Sequence, residues 1–272
     1  MIGIARRGLV AGIAAILIGS CSPTPPVGAT TIVDAARATV ATGSAHIDFR
    51  MELTASSESD GSRTVNAAAD TEFGAERRAV VTFDLTSVGA GVMEARVDGP
   101  DVYLRGDVLA RFTGGATRWL YFDRDNVSPA TRQLAATLSG PNDASLLLYY
   151  LLGADGPIEE LGTEIIDGTD TTGYGLSISL DAALEVIEPA LRDALQLNMI
   201  EMRANGIDPQ FSGEAWLDGQ NLVRRVRYEL ALSSVSGGGG MTLTADLSAF
   251  GEPVTVEVPD PSEVTNAEDV LE

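Results

Sequence analysis

His46-Ile47-Asp48-Phe49-Arg50-Met51-Glu52-Leu53-Thr54-Ala55 places Ile47, Phe49, Met51 and Leu53 in alternation with His46, Asp48, Arg50 and Glu52. A period of two puts every second side chain on one face of an extended chain, so this stretch predicts a strand with one dry and one wet face. The same alternation returns over 80–85, 92–97, 102–105, 118–122, 173–180, 225–232 and 241–250, with glycine-rich or Asp-Gly punctuation between the runs. Asp98-Gly99-Pro100-Asp101 reads as a tight turn, and Gly237 to Gly240 as a hairpin connection. Short connections favour an antiparallel meander, because parallel strands need a long crossover between each pair.

Helical spacing breaks the strand pattern in a few places. Thr31 to Ala41 carries Ile32, Ala35, Ala36 and Val40 near one face and ends at Gly43. Pro129 to Leu138 leads to Asp143–Leu152, in which Leu146 to Leu152 is apolar nearly all round and must be buried on several sides; Asn142 or Asp143 would cap its start. Asp181 to Ala204 spaces Leu184, Ile187, Leu191, Leu195, Met199 and Met202 at threes and fours, with Pro189 expected to kink or divide it. The fold class expected is α+β: a strongly curved antiparallel sheet with helices packed on its concave face.

The first twenty residues read as an export signal, with Arg6-Arg7 followed by the apolar run Leu9 to Ile18 and then small residues. That run is about half of the roughly 20 residues a membrane-crossing helix requires. Leu17-Ile18-Gly19-Ser20-Cys21 resembles a bacterial lipobox, which implies cleavage before Cys21 and a lipid on its thiol. Ser22-Pro23-Thr24-Pro25-Pro26 is a spacer of extended geometry. The expected organisation is a signal over 1–20, a proline-rich tether over 21–30 and one domain over 31–272, anchored on the extracytoplasmic face of the cell membrane. Arg6-Arg7 fits either the general or the twin-arginine export route.

Removing residues 1–20 leaves 16 of the 18 basic residues against all 39 acidic ones, a net charge of −23, which excludes nucleic acid as a partner. The same charge assigns membrane association to the acyl anchor and not to a basic face. All basic residues are arginine, so chemistry through a lysine amine is ruled out. Cys21 is the single cysteine, so no disulfide forms within the chain.

One histidine, His46, sits on the wet side of its strand, and no Gly-x-Ser-x-Gly elbow occurs. Asp123-Arg124-Asp125-Asn126 and Asp167-Gly168-Thr169-Asp170 cluster oxygens, but neither continues to the glutamate that completes a calcium loop. Glu159-Glu160 would point to opposite faces of a strand and stay solvated. The expectation is a protein that is not an enzyme and holds no cofactor or metal.

Ile158-Glu159-Glu160-Leu161-Gly162-Thr163-Glu164-Ile165-Ile166-Asp167-Gly168, followed by Thr171-Thr172-Gly173-Tyr174, resembles a hairpin of the actinobacterial LppX/LprG-type lipoproteins. Ala215-Trp216-Leu217-Asp218 with Leu222-Val223-Arg224-Arg225-Val226, and Ser248-Ala249-Phe250-Gly251-Glu252-Pro253-Val254, are similar to that family's closing strands. The resemblance implies a LolA-like half-barrel that binds acyl chains of a lipid or glycolipid, with a membrane transporter as a further partner. The apolar side chains of the two helical blocks that could line such a cavity are Leu146, Leu147, Tyr150, Leu151, Leu184, Ile187, Leu191, Leu195, Met199 and Met202. Their spacing alone fits two arrangements, a filled core or an acyl-chain tunnel. A non-catalytic scaffold with a collapsed cavity is the alternative function.

Overall fold

The structure is a computed structural model that describes residues 28–55, 61–74, 78–115, 118–123, 144–232 and 239–271. The expected leader, Cys21, most of the tether, the helix over 129–138, the cap at 142–143, residues 124–126 and Gly237-Gly238 lie outside the described residues.

Among the described residues a single twelve-stranded sheet dominates. Its first half is a consecutive antiparallel meander: β1 (Ser44–Ala55), β2 (Ser62–Glu72), β3 (Arg78–Asp84), β4 (Val92–Asp98), β5 (Asp101–Gly106) and β6 (Trp119–Asp123). The second half is another: β7 (Ala154–Ile166), β8 (Thr169–Ser179), β9 (Gln210–Asp218), β10 (Val223–Leu232) and β11 (Gly239–Ser248). Pairing of β1 with β11, from His46 opposite Ser248 to Ala55 opposite Gly239, is the seam between the two halves. A short strand β12 (Val264–Asn266) lies parallel to β6. The sheet stays open, with β12 at one edge and β7 at the other.

Register aligns the apolar residues on one face. Ile47 faces Leu247 on one side and Ala69 on the other, and the row continues through Val81, Ala95 and Leu104 to Leu120, all buried. The Asp167-Gly168 turn that joins β7 to β8 has positive φ at both residues, the backbone twist that suits a two-residue hairpin. Gly239 and Gly240, expected in a connection, instead begin β11 opposite Ala55 and Thr54.

The helices cover the apolar face over the seam and the second half. They are α1 (Ala29–Val40), α3 (Ala144–Tyr150), α4 (Leu180–Val186) and α5 (Pro189–Ala204); a one-turn α2 (Ala110–Thr113) and α6 (Glu268–Leu271) belong to the other half. α1 buries Ile32, Ala35, Ala36 and Thr39. The Thr39 hydroxyl accepts the backbone N–H of Val223 at 2.9 Å and so ties the helix to the start of β10. In α3, Leu146 to Tyr150 are all buried, as a helix apolar all round requires. Pro189 divides the long helical segment: α4 ends at Val186, Ile187 is extended, and the proline opens α5 where its missing N–H costs nothing.

The chain after β11 is a strap. Ser44 donates its hydroxyl to the Glu252 carbonyl at 2.5 Å, Arg96 donates to the Glu257 carbonyl from the polar face of β4, and Arg118 donates to the Ser262 and Val264 carbonyls at 3.1 Å. It carries the C-terminus from the middle of the sheet to its far edge.

Candidate functional site

The apolar face is not uniformly covered. Along β11, Ala245 and Leu247 are buried whereas Met241 and Leu243 are half-buried. Along β1, Ile47 is buried whereas Phe49 and Met51 are half-buried. At this end of the sheet a pocket of about 170 Å³ opens between the strands and the helices. Its floor is Phe49, Met51, Leu230, Met241 and Leu243; its roof is Leu146, Leu147 and Tyr150 from α3 and Met202 from α5. Asn198, Glu201 and Asn205 on and after α5 supply the polar rim.

Two tyrosines hold the roof in place. Tyr228 is fully buried and donates its hydroxyl to the Leu147 carbonyl at 2.5 Å, anchoring α3 to β10. Tyr150 donates to Asn198 Oδ1 at 2.6 Å, which latches α3 to α5 across the pocket. With Phe211 the two rings form a cluster at centroid separations of 5.4–5.8 Å, within the range of favourable edge and tilted packing. Burial raises the Tyr150 pKa; the Asn198 bond opposes that and the nearby Glu201 charge adds to it, so the hydroxyl stays a proton donor at neutral pH. On the rim, Asn205 Nδ2 donates to the Glu201 carbonyl at 2.9 Å.

Four of the ten cavity residues expected from sequence, Leu146, Leu147, Tyr150 and Met202, therefore border this pocket. The structure places Leu151, Ile187, Leu191, Leu195 and Met199 in the packed core and leaves Leu184 half-buried against it. Their stripe exists, but it is packed into the core. Sequence reasoning did not single out the strand residues of the floor or the rim on α5. The apolar phase of β1 and β10 was readable, but not which end of it the helices would leave bare.

His46 stands on the polar face, as its strand phase implies. Its Nδ1 lies 2.7 Å from Asp70 Oδ1 and its Nε2 3.7 Å from Asp48 Oδ1, so a carboxylate faces each ring nitrogen. Burial pulls its pKa down, but the hydrogen bond and charge of Asp70, with those of Asp48, outweigh this and leave it raised. Glu159 and Glu160 are exposed on β7, Asp167-Gly168 forms the β7–β8 turn, and Thr169-Asp170 begin β8. Among the described residues no group of three or more His, Cys, Asp or Glu side chains is placed to hold a metal ion. Among them, too, no helix is long and apolar enough to cross a membrane.

No protein-family model matches the chain, and no curated protein sequence matches it. Among solved structures, it is similar to the lipoprotein LppX of Mycobacterium tuberculosis, at 16% identity over 84% of this chain and 99% of that one, with a TM-score of 0.47. It is similar to LprF of Mycobacterium bovis at 16% identity, over 86% of this chain and 96% of that one, with a TM-score of 0.47. A LolA superfamily protein of Nitrosomonas europaea is more distant, at 10% identity over 84% and 96% of the two chains and a TM-score of 0.30.

Proposed function

We propose that this chain is an exported lipoprotein, cut after residue 20, acylated on Cys21 and held by the tether over 21–30 on the extracytoplasmic face of the cell membrane. Its single body over 31–272 shelters an acyl chain of a lipid or glycolipid for transport or presentation, and exchanges it with a membrane transporter. No catalytic step is required. Acyl chains are poorly soluble, so an apolar hollow beside the membrane lowers the barrier to moving them.

The observation that carries this reading is the open pocket, with an apolar floor and roof and a polar rim on one side only. That is the polarity an amphiphile presents, its tail inward and its head at the rim. Met51, Met202 and Met241 give the lining an adaptable shape. In this reading Leu146, Leu147, Tyr150 and Met202 touch the chain first. Leu151, Leu184, Ile187, Leu191, Leu195 and Met199 would meet a longer chain only after α5 moves. The pocket's small volume favours the second reading, a scaffold whose cavity is collapsed and whose acidic surface binds protein partners.

Native mass spectrometry with lipid extraction, on the full chain purified from its own membranes, separates the two. A carrier retains a stoichiometric acyl lipid beyond the one on Cys21, whereas a clean mass with no uptake of added lipid would leave the scaffold. A chain that begins at Ser22 behind a cleavable export signal lacking the cysteine is expected to shift from the membrane to the soluble fraction; unchanged partitioning would rule out the anchor.

A further inference from the structure

The opposite, polar face of the sheet carries a second concavity, across the seam between the two halves. It measures about 810 Å³, within the range of about 300–1,000 Å³ typical of small-ligand sites. Its shape follows from side-chain length. β11 contributes the short Thr242 and Thr244 as the floor, while longer side chains rise from β9 and β10 on one side and from β1 on the other. The register sets Thr244 between Arg227 and Arg50, and Asp246 between Arg225 and Asp48.

We propose that this trough binds a neutral carbohydrate through the indole of Trp216. Trp216 stands opposite Gly173 on one side and Arg225 on the other. A Cβ added at Gly173 would come within 2.7 Å of the indole Nε1, so the ring lies down against the backbone of β8 only because no side chain is there. The half-buried indole lines the trough with the Arg225 guanidinium 5.8 Å from its ring centroid, and an indole surface is of the apolar kind that the C–H side of a sugar ring covers.

The surrounding polar groups are already fixed. Arg225 donates from Nε to Asp246 at 2.5 Å and from one terminal nitrogen to Glu164 at 2.8 Å, and Arg227 pairs with Glu214 at 3.3 Å and Glu229 at 2.8 Å. Carboxylates and guanidiniums so held keep spare acceptor and donor positions for hydroxyl groups.

Charge selects the class. Three arginines and four carboxylates line the trough, so neither a polyanion nor a polycation is favoured, and the scarcity of apolar side chains excludes an acyl chain. A polyhydroxylated, uncharged ligand fits both conditions. The site lies on the other face of the sheet from the apolar pocket, and the two share only Phe49.

The test is native gel electrophoresis of the full chain in mild detergent, through gels with and without alkali-deacylated polysaccharide from the envelope of the source cells. Deacylation removes any contribution from the apolar pocket. The wild type should be retarded, and Trp216→Ala should raise the dissociation constant by about tenfold or more. Trp216→Tyr, which keeps a ring, should retain most of the retardation, and Met202→Trp, which fills the apolar pocket, all of it. Wild-type mobility that ignores the polysaccharide, or equal retardation of a folded Trp216→Ala, would overturn the proposal. Should Trp216→Ala not fold, Gly173→Ala, which displaces the indole without removing it, supplies the same comparison, and undiminished retardation there counts equally against the site.

Discussion

A series of monoacyl lipids with one headgroup and increasing chain length probes the pocket between α3, α5 and the sheet most directly. A cavity of about 150 Å³ accommodates a benzene-sized ligand, so the 170 Å³ found here takes about six carbons. At about 0.8 kcal/mol for each buried methylene, each carbon strengthens binding about fourfold, and six give about 5 kcal/mol before the cost of association. With the helices fixed, affinity should climb over the first half-dozen carbons and then level off.

The carrier reading makes a different demand: the climb continues, because α5 lifts and exposes the core stripe of Leu191, Leu195 and Met199. Lifting breaks the bond from Tyr150 to Asn198, so Tyr150→Phe should leave short-chain affinity unchanged. It should strengthen long-chain affinity by about three- to tenfold, the worth of one net hydrogen bond. Isothermal titration calorimetry below the micelle concentration reads both. Affinity independent of chain length throughout the series would refute the reasoning.

Other outcomes follow from the same geometry. Leu195→Ala, at a fully buried position, should lower stability by about 2–5 kcal/mol in urea unfolding, and Met202→Ala by less, because Met202 borders space that already exists. Tyr228→Phe removes the buried bond to the Leu147 carbonyl and should cost about 0.5–1.5 kcal/mol in the same assay. Asp218 should make the protein acid-sensitive. Burial alone would raise its pKa, but the backbone N–H groups of Leu222 and Gln220 and the Arg224 guanidinium outweigh that and lower it. Its contribution is therefore complete above the ordinary aspartate value and disappears as pH falls through the folded one. A smaller loss of stability on acidification for Asp218→Asn checks the sign. For His46 the sign is opposite: its raised pKa gives a contribution present below the ordinary histidine value and lost as pH rises through the folded one, visible in an NMR titration of the ring.

Much of the sheet could be read from one-dimensional spacing because the covered face demands it. β1, β3, β4, β5, β8, β10 and β11 all alternate large apolar with polar side chains. β2 escaped because Asn66-Ala67-Ala68-Ala69-Asp70 puts alanine on both faces, so the phase carried little contrast although Val65 and Ala69 point to the core. β12 is three residues long and pairs only because the Arg118 bonds bring the strap to β6; no local pattern encodes that. The division at Pro189 was legible since proline lacks an N–H. The pocket was legible only in part. Periodicity told that Leu195 and Met202 share a helical face, but how far along the sheet the helices extend is a tertiary fact. That extent makes Leu195 core and Met202 lining.

Because each half of the sheet is a run of neighbouring hairpins, either can begin to form from short-range contacts, whereas the seam joins residues about two hundred positions apart. Loop closure over that span delays the zipping of β1 onto β11 until the chain is nearly complete. Until then β1 presents an unpaired row of amides with a partly apolar flank, the kind of edge that recruits strands from other molecules. For a chain that emerges end-first, the C-terminal thirty residues thus act last in time: β11 supplies the missing partner and the strap behind it closes β6. Truncation before Met241 would leave two competent but unjoined meanders, a species prone to association and not simply a weaker version of the native fold.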